Sequence, residues 1–263
     1  DHYLSKSEME ELRVAAWLHD CGKVATPDHV MDKPTKLSAV SDRIEVIKLR
    51  LEVLRRDYEI EALKQAHKIS DAEIHSVDHE KINMLKNLEN FIEESNKGAE
   101  NLTEENKQKI RDSAKQFTYT DLLGNQTQLL SDEDIENLIV ERGTLTYKER
   151  EVIKNHVKIT ASMLESLPYP KALRRVPLIA GSHHEKMDGK GYPKGLKGDQ
   201  IILQARILSI ADIFEALTAA DRPYKPAKTL SETLNIMKEM KQNKHIDPDL
   251  FDLFVKQKIY LEY

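Results

Sequence analysis

Cysteine occurs once in the 263 residues, as Cys21, so no disulfide within the chain is available to it and a reducing compartment, the cytoplasm, is expected. No apolar run reaches the roughly 18 residues of a membrane-spanning helix, and the opening DHYLSKSEMEE lacks the charged-then-apolar order of a signal peptide. A basic surplus is missing too: 40 Lys and Arg stand against 45 Asp and Glu, for a net charge of −5. That balance argues against a broad grip on duplex nucleic acid, though a small anionic ligand at a local positive site remains compatible with it. Aromatics are scarce at 6%, glycine and proline number nine each, and 32% of the chain is charged. Such a mixture fits a helix-rich chain of one large or two modest domains.

The patterning supports this. Ser7, with Glu8 and Glu10 behind it, is placed to cap a first helix through LRVAAWLHD, with Gly22 as a left-handed stop. From about residue 38 the spacing of Ile44, Ile47, Leu51, Leu54 and Tyr58 predicts a packed helical seam, and Ile82, Leu85 and Ile92 a second stripe. The two read as a long helical hairpin, an insertion with too few large apolar residues for a core of its own. Patterning resumes near residue 131, where SDEDIENL predicts a short capped helix. TYKERE predicts another, with Thr146 and Glu149 as its capping box. That second helix carries His156 on an apolar face. A helix from Pro177 leads to His183 and His184, a turn-rich GYPKGLKGD follows, and the apolar helix ILQARILSIADIFEALTAAD precedes two final helices either side of KHIDPD. The expected division is 1–37, 38–130 and 131–263.

Several polar groups stand where an apolar helix does not need them. His19-Asp20 ends the first helix, and Asp212 sits within LSIADIFEAL, where an unpaired buried carboxylate is costly and calls for a cation. Adjacent helical residues point about 100° apart, so the pairs His19-Asp20 and His183-His184 suit a cluster of ions better than a single one. Imidazole and carboxylate ligands without thiolate favour Fe, Mn or Zn. Ions held close together suit hydrolysis of a phosphodiester, with Lys23 and Arg222 suited to its remaining charge.

The string HD with GK at 19–23, HHEKMDGKGYP at 183–193 and ADIFEALTAADRPYK at 211–225 together resemble the HD-GYP family of cyclic dinucleotide phosphodiesterases. The resemblance covers residues from about 8 to 37 and from 140 onward. It implies an all-α, HD-domain helical bundle with a short GYP loop, here carrying the long inserted hairpin. It also implies metal ligands at His19, Asp20, His156, His183, His184 and Asp212, a catalytic role for Lys23 beside Asp20, and phosphate contacts from Arg222 and Lys225. Tyr192 is expected at the pocket rim. The implied cofactors are two or three divalent ions, Fe or Mn first, with Zn, Ni or Mg as alternatives. The implied substrate is cyclic di-GMP, opened to pGpG and in some members cut on to GMP.

Two departures stand out. The stretch between His19 and His156 is far longer than the family's, and the hairpin that fills it is a candidate for a homodimer contact or for receiving a signal. The family's upstream helix, with its glutamate and histidine, has no counterpart before His19, which leaves the third ion and the second cleavage open and suggests an upstream sensory domain in a longer protein. Two other function classes compete: a silent cyclic di-GMP receptor, and an HD-type phosphohydrolase of mononucleotides or an alarmone. A mixed cyclic GMP-AMP substrate is a further alternative.

Overall fold

Ser5, not Ser7, starts the first helix. In the computed structural model, which describes residues 3–66, 71–98, 101–219 and 228–262, with backbone only at 64–66 and 71–79, α1 spans Lys6–Leu18. The Ser5 hydroxyl accepts from the Glu8 N–H at 3.3 Å, and the Glu8 carboxylate accepts from the Ser5 N–H at 2.9 Å. This reciprocal box satisfies two orphan donors at once; the alternative box of Ser7 with Glu10 does not form, because Ser7 lies inside the helix and Glu10 accepts from Arg13 instead.

A 3₁₀ turn at Cys21–Ala25 leads to a short α2 (Asp28–Met31). The long pair α3 (Ile44–Ala66) and α4 (Asp71–Asn96) follows, packed along each other. Next come α5 (Glu104–Gln116) and a small antiparallel hairpin of β1 (Thr118–Thr120) and β2 (Gln126–Gln128), with Tyr119 opposite Thr127. The remaining elements are α6 (Asp132–Leu138), α7 (Tyr147–Glu165), α8 (Val176–Ala180), α9 (Leu203–Thr218), α10 (Leu230–Gln242) and α11 (Pro248–Lys256). The fold is thus helical, as the composition predicts, and the capping boxes at Ser131 and Thr146 form as the sequence predicts. Among the described residues no helix is long and apolar enough to cross a membrane.

The chain divides into two compact units, Asp28–Arg150 and the joined segments Asp1–Pro27 and Glu151–Tyr263. These limits differ from the 38–130 insertion read from the sequence, and the reason is a core. Residues 28–150 bury Ile44, Ile47, Leu51 and Leu54 of α3 with Leu85, Leu88 and Ile92 of α4. The flanking stretches complete that core: Leu37 before it, and Ile110, Leu129, Leu130 and Leu138 after it. The expectation that this segment lacks a core of its own is therefore corrected; apolar residues outside the α3–α4 pair, most of them still within 38–130, complete it. Charged groups are buried here beside partners. The Lys33 ammonium donates to Asn137 Oδ1 at 2.7 Å and to Glu149 Oε1 at 2.8 Å, and Asp134 accepts from Ser131 and from Arg50.

The other unit is organised by α9. One side of it, through Leu208, joins Ala15, Leu164, Val176, Ile179 and Ala180. Another side, through Ile210 and Phe214, meets Met237 of α10 and Leu250 and Phe251 of α11, along with Ile246. A helix covered from two directions must be apolar nearly all round, which explains the long apolar run and makes its single inward carboxylate, Asp212, conspicuous. Glu11 of α1, also buried, accepts from the Arg175 N–H at 3.0 Å and from Arg175 Nε at 2.8 Å, tying α1 to the start of α8.

Candidate metal centre

Three imidazoles in this second unit are aimed by one device. His19 Nδ1 lies 2.7 Å from the Ala16 carbonyl, His156 Nδ1 2.6 Å from that of Ile153, and His183 Nδ1 2.6 Å from that of Ala180. Each time the partner is three residues back, at the end or within the body of a helical turn. A carbonyl only accepts, so Nδ1 carries the proton and Nε2 of the neutral ring is left with its lone pair. Outer partners of this kind fix ring orientation in metal-ligating histidines.

The freed Nε2 atoms converge. Asp20 Oδ1 lies 3.2 Å from His156 Nε2 and 4.0 Å from His183 Nε2, and His19 Nε2 lies 3.5 Å from both Asp20 Oδ2 and Asp212 Oδ1. Among the described residues, candidate ligand atoms form two groups, His156 with His183 and His184, and His19 with Asp20 and His183, each group spanning no more than 4.8 Å. His183 belongs to both, while its neighbour His184 belongs to one, with their ring centroids 4.0 Å apart. His19 Nε2, His156 Nε2, His183 Nε2 and Asp20 Oδ1 are all buried without a hydrogen-bond partner. Lone pairs and a carboxylate facing one another in a desolvated space repel unless a cation lies between them. The residues therefore fit divalent metal, and the nitrogen–oxygen donor set without sulfur fits a borderline or hard ion.

Charge follows the same logic. Burial pushes the His183 pKa down to about 4, and burial with the adjacent His183 pushes His184 down to about 3, so both rings are neutral and ligand-competent near pH 7. Burial opposes ionisation of Asp20, yet neighbouring His156, Lys23 and His19 hold its carboxyl well below the usual range. Asp212 is likewise held down against burial, first by its contact with His19. Burial works against protonating His19, but Asp212, the Ala16 carbonyl and Asp20 outweigh it and raise its pKa.

The sequence-predicted residues are thus brought together at all six positions from His19 to Asp212. Lys23 lies at the same place, its ammonium 2.6 Å from Asp20 Oδ2. The Tyr192 ring packs 4.9 Å from that of His184, its N–H donates to the His184 carbonyl at 3.2 Å, and burial raises its phenol pKa. Cys21 packs into the apolar wall formed around Ala15 and Leu164. Arg222 and Lys225 lie outside the described residues.

Three supporting residues escaped the sequence reading. Gly22 does not adopt the left-handed stop expected of it. A Cβ there would meet the His156 carbonyl oxygen at 2.2 Å and the Thr160 nitrogen at 2.6 Å, so glycine is required by close approach of two backbones. Thr160 fastens that approach: its hydroxyl accepts from the Gly22 N–H at 2.9 Å and donates to the His19 carbonyl at 3.0 Å. Glu185, buried behind the two histidines, accepts from the N–H groups of Lys194 at 2.7 Å and Leu196 at 2.8 Å, and so holds the turn after Tyr192. The acid directly after the histidine pair was the available signal for it. Before Tyr192 the chain turns at Gly189, φ +82°, with Asp188 Oδ1 accepting from the Lys190 N–H at 2.9 Å. Gly191 packs against the Glu185 and Lys186 backbone, where a Cβ would fall within 2.5 Å of Glu185 Cα.

A family model described as HD domain matches residues 88–250. Among curated proteins, the chain is similar to a "3'3'-cGAMP-specific phosphodiesterase 3" of Vibrio cholerae, 39% identical over 153 residues, which is 51% of this chain and 32% of that one. It is 48% identical over 77 residues to "3'3'-cGAMP-specific phosphodiesterase 1" of the same organism, covering 29% of this chain and 18% of the relative. It is 36% identical over 127 residues to "Cyclic di-GMP phosphodiesterase response regulator RpfG" of Xanthomonas campestris pv. campestris, covering 48% and 33%. The matched region spans about a third or less of the length of these relatives.

Proposed function

Because this chain belongs to the HD domain family, we propose that it is a metal-dependent phosphodiesterase that opens cyclic di-GMP to pGpG in bacterial second-messenger signalling, in the cytoplasm. The observation that supports this most is the pair of overlapping ligand groups sharing His183. His19, Asp20, His156, His183, His184 and Asp212 would hold two divalent ions, Fe or Mn before Zn, Ni or Mg. Ions bound there would supply Lewis acidity toward a phosphodiester and acidify water.

The chain's own groups define the rest. Nδ1 contacts to Ala16, Ile153 and Ala180 keep three rings oriented before any ligand arrives, so no reorganisation is needed during reaction. Lys23, 42% exposed at its side chain, is free to turn from Asp20 toward a phosphate oxygen or to protonate the leaving one. Tyr192, packed at a tilt against His184, stands at the rim as a surface for the dinucleotide, and Glu185 keeps the following turn in place.

A second substrate has specific support: two of the similar relatives are described as 3'3'-cGAMP-specific. Turnover of the whole 263-residue chain, reconstituted anaerobically with Mn or Fe, tests both readings. Cyclic di-GMP, 3'3'-cGAMP, pGpG and mononucleotides are the substrates to compare. Cyclic di-GMP cleaved to pGpG is the expected result, and faster cleavage of 3'3'-cGAMP moves the assignment to the second substrate. Preference for linear nucleotides overturns the proposal, as does binding of a cyclic dinucleotide without cleavage.

A further inference from the structure

The long helix α3 is apolar on two sides. Its buried stripe, Ile44, Ile47, Leu51, Leu54 and Tyr58, lies against α4 and the core of residues 28–150. Two positions further along from each of these, about 200° round the helix, lie Val46, Leu49, Val53, Arg56 and Ile60, and Leu63 continues the row. The apolar members of this second row are 41–68% exposed, and the side chain of Arg56 is 67% exposed. Their steps are three, four, three, four and three, the a and d positions of a coiled coil. Polar residues belong on the open side of a surface helix; here the open side has a seam.

We propose that this seam joins two copies of the chain as a short antiparallel coiled coil. The inference does not depend on the proposed activity. Three features of the seam select a second copy in that orientation. Read from opposite ends, the row is complementary to itself: Val46 faces Leu63, Leu49 faces Ile60, and Val53 faces Arg56, so each layer sets a β-branched residue against one that is not branched at Cβ. A two-fold axis between Val53 and Arg56 keeps all six layers, as an isologous contact requires.

Charge decides the orientation. A parallel pair would stack Arg56 on Arg56 in the middle of an apolar seam, two like charges with nowhere to go. An antiparallel pair places each Arg56 over Val53 of the other copy and beside its Glu52. Glu52 is already an arginine acceptor, taking Arg55 Nε at 2.7 Å and Arg56 Nε at 2.9 Å within its own chain. Two arginine–glutamate pairs thus close round the axis. Glu52 and Glu59 face one another on one flank, and Arg55 contacts both of them. The seam from Val46 to Leu63 is only ~27 Å long, so a dimer that dissociates on dilution is expected.

Sedimentation equilibrium of the whole chain tests this directly. The mean mass is expected to rise from one chain toward two between roughly 1 and 100 µM, a range suited to a small interface. Leu49→Glu combined with Ile60→Glu should raise the dissociation constant at least ~100-fold, as loss of central apolar anchors does, with unchanged helical circular dichroism. Orientation is read by cysteine cross-linking, which needs no disruptive change. Mixed Leu49→Cys and Ile60→Cys proteins should form the 49–60 disulfide, and Leu49→Cys alone should not link to itself. A wild-type monomer at 100 µM, a dimer that survives the double substitution, or a 49–49 disulfide each overturns the proposal.

Discussion

Within residues 28–150, Lys33 meets Glu149 and Asn137, Asp134 meets Arg43, Arg50 and Ser131, and the fully buried Lys36 donates to the Leu138 carbonyl at 2.9 Å. In the unit of residues 1–27 and 151–263, by contrast, His19 Nε2, His156 Nε2, His183 Nε2 and Asp20 Oδ1 face one another without a hydrogen bond. Folding tolerates buried polar atoms when each has a partner; a cluster of acceptors without donors is tolerated only if something else completes it. Single orphaned atoms occur in both units, Arg43 Nε in one and Gln204 Nε2 in the other; what sets the site apart is that four of them, from His19, Asp20, His156 and His183, gather at one place.

Alanine at Asp20 or His183 gives the strongest test of that separation. Either change should abolish hydrolysis and lower bound metal, by more than the ~10–100-fold typical of outer partners, while melting of the metal-free protein changes little. Elemental analysis with a turnover assay reads both, and full activity in either variant would break the contrast. In the other unit the prediction reverses: Lys33→Ala should cost about 3 kcal/mol of stability in urea unfolding, since Glu149 is left uncompensated, with bound metal unchanged. A smaller loss, ~1–3 kcal/mol from overpacking, is expected for Gly22→Ala, accompanied by reduced metal binding because the new Cβ displaces the His156 backbone.

Lys36 sharpens the comparison at its weakest point, because the partner of its ammonium among the described residues is a neutral carbonyl. Burial, with the charge of Lys107, lowers its pKa to about 8 from the ordinary 10.5. The folded state thus resists the proton, so the penalty is full below about pH 8 and fades as pH rises toward the unfolded value. Lys36→Met should accordingly raise stability at pH 7 by roughly 1–2 kcal/mol. That gain should shrink as pH is raised from 8 to 10, measured by urea unfolding at each pH. An unchanged gain at pH 10 would show that packing, not charge, set the difference.

Much of the site was legible because its chemistry is locally written. His19-Asp20, His183-His184 and Asp212 each sit where a helix pattern alone would not place them, and GYP marks a turn. What periodicity missed lies across the chain. Gly22 looked like a helix stop because glycine after a helix usually is one, and only the backbone of α7 at His156 shows the other reason. Glu185 looked like part of a polar loop until the N–H groups of Lys194 and Leu196 were found on it. The α3 pattern was read once, as the buried seam, although the row two positions along repeats the same spacing in the open.

By itself, then, the order of residues determined the helices, most of their caps and which side chains carry donor atoms, because these depend on neighbours within a turn or two. Only the tertiary structure decided that six donors from His19 to Asp212 share one desolvated space, with His183 common to two groups. It alone decided that residues 28–150 assemble a core from beyond the hairpin. Both outcomes depend on which distant surfaces lose water together, and sequence spacing does not encode that distance.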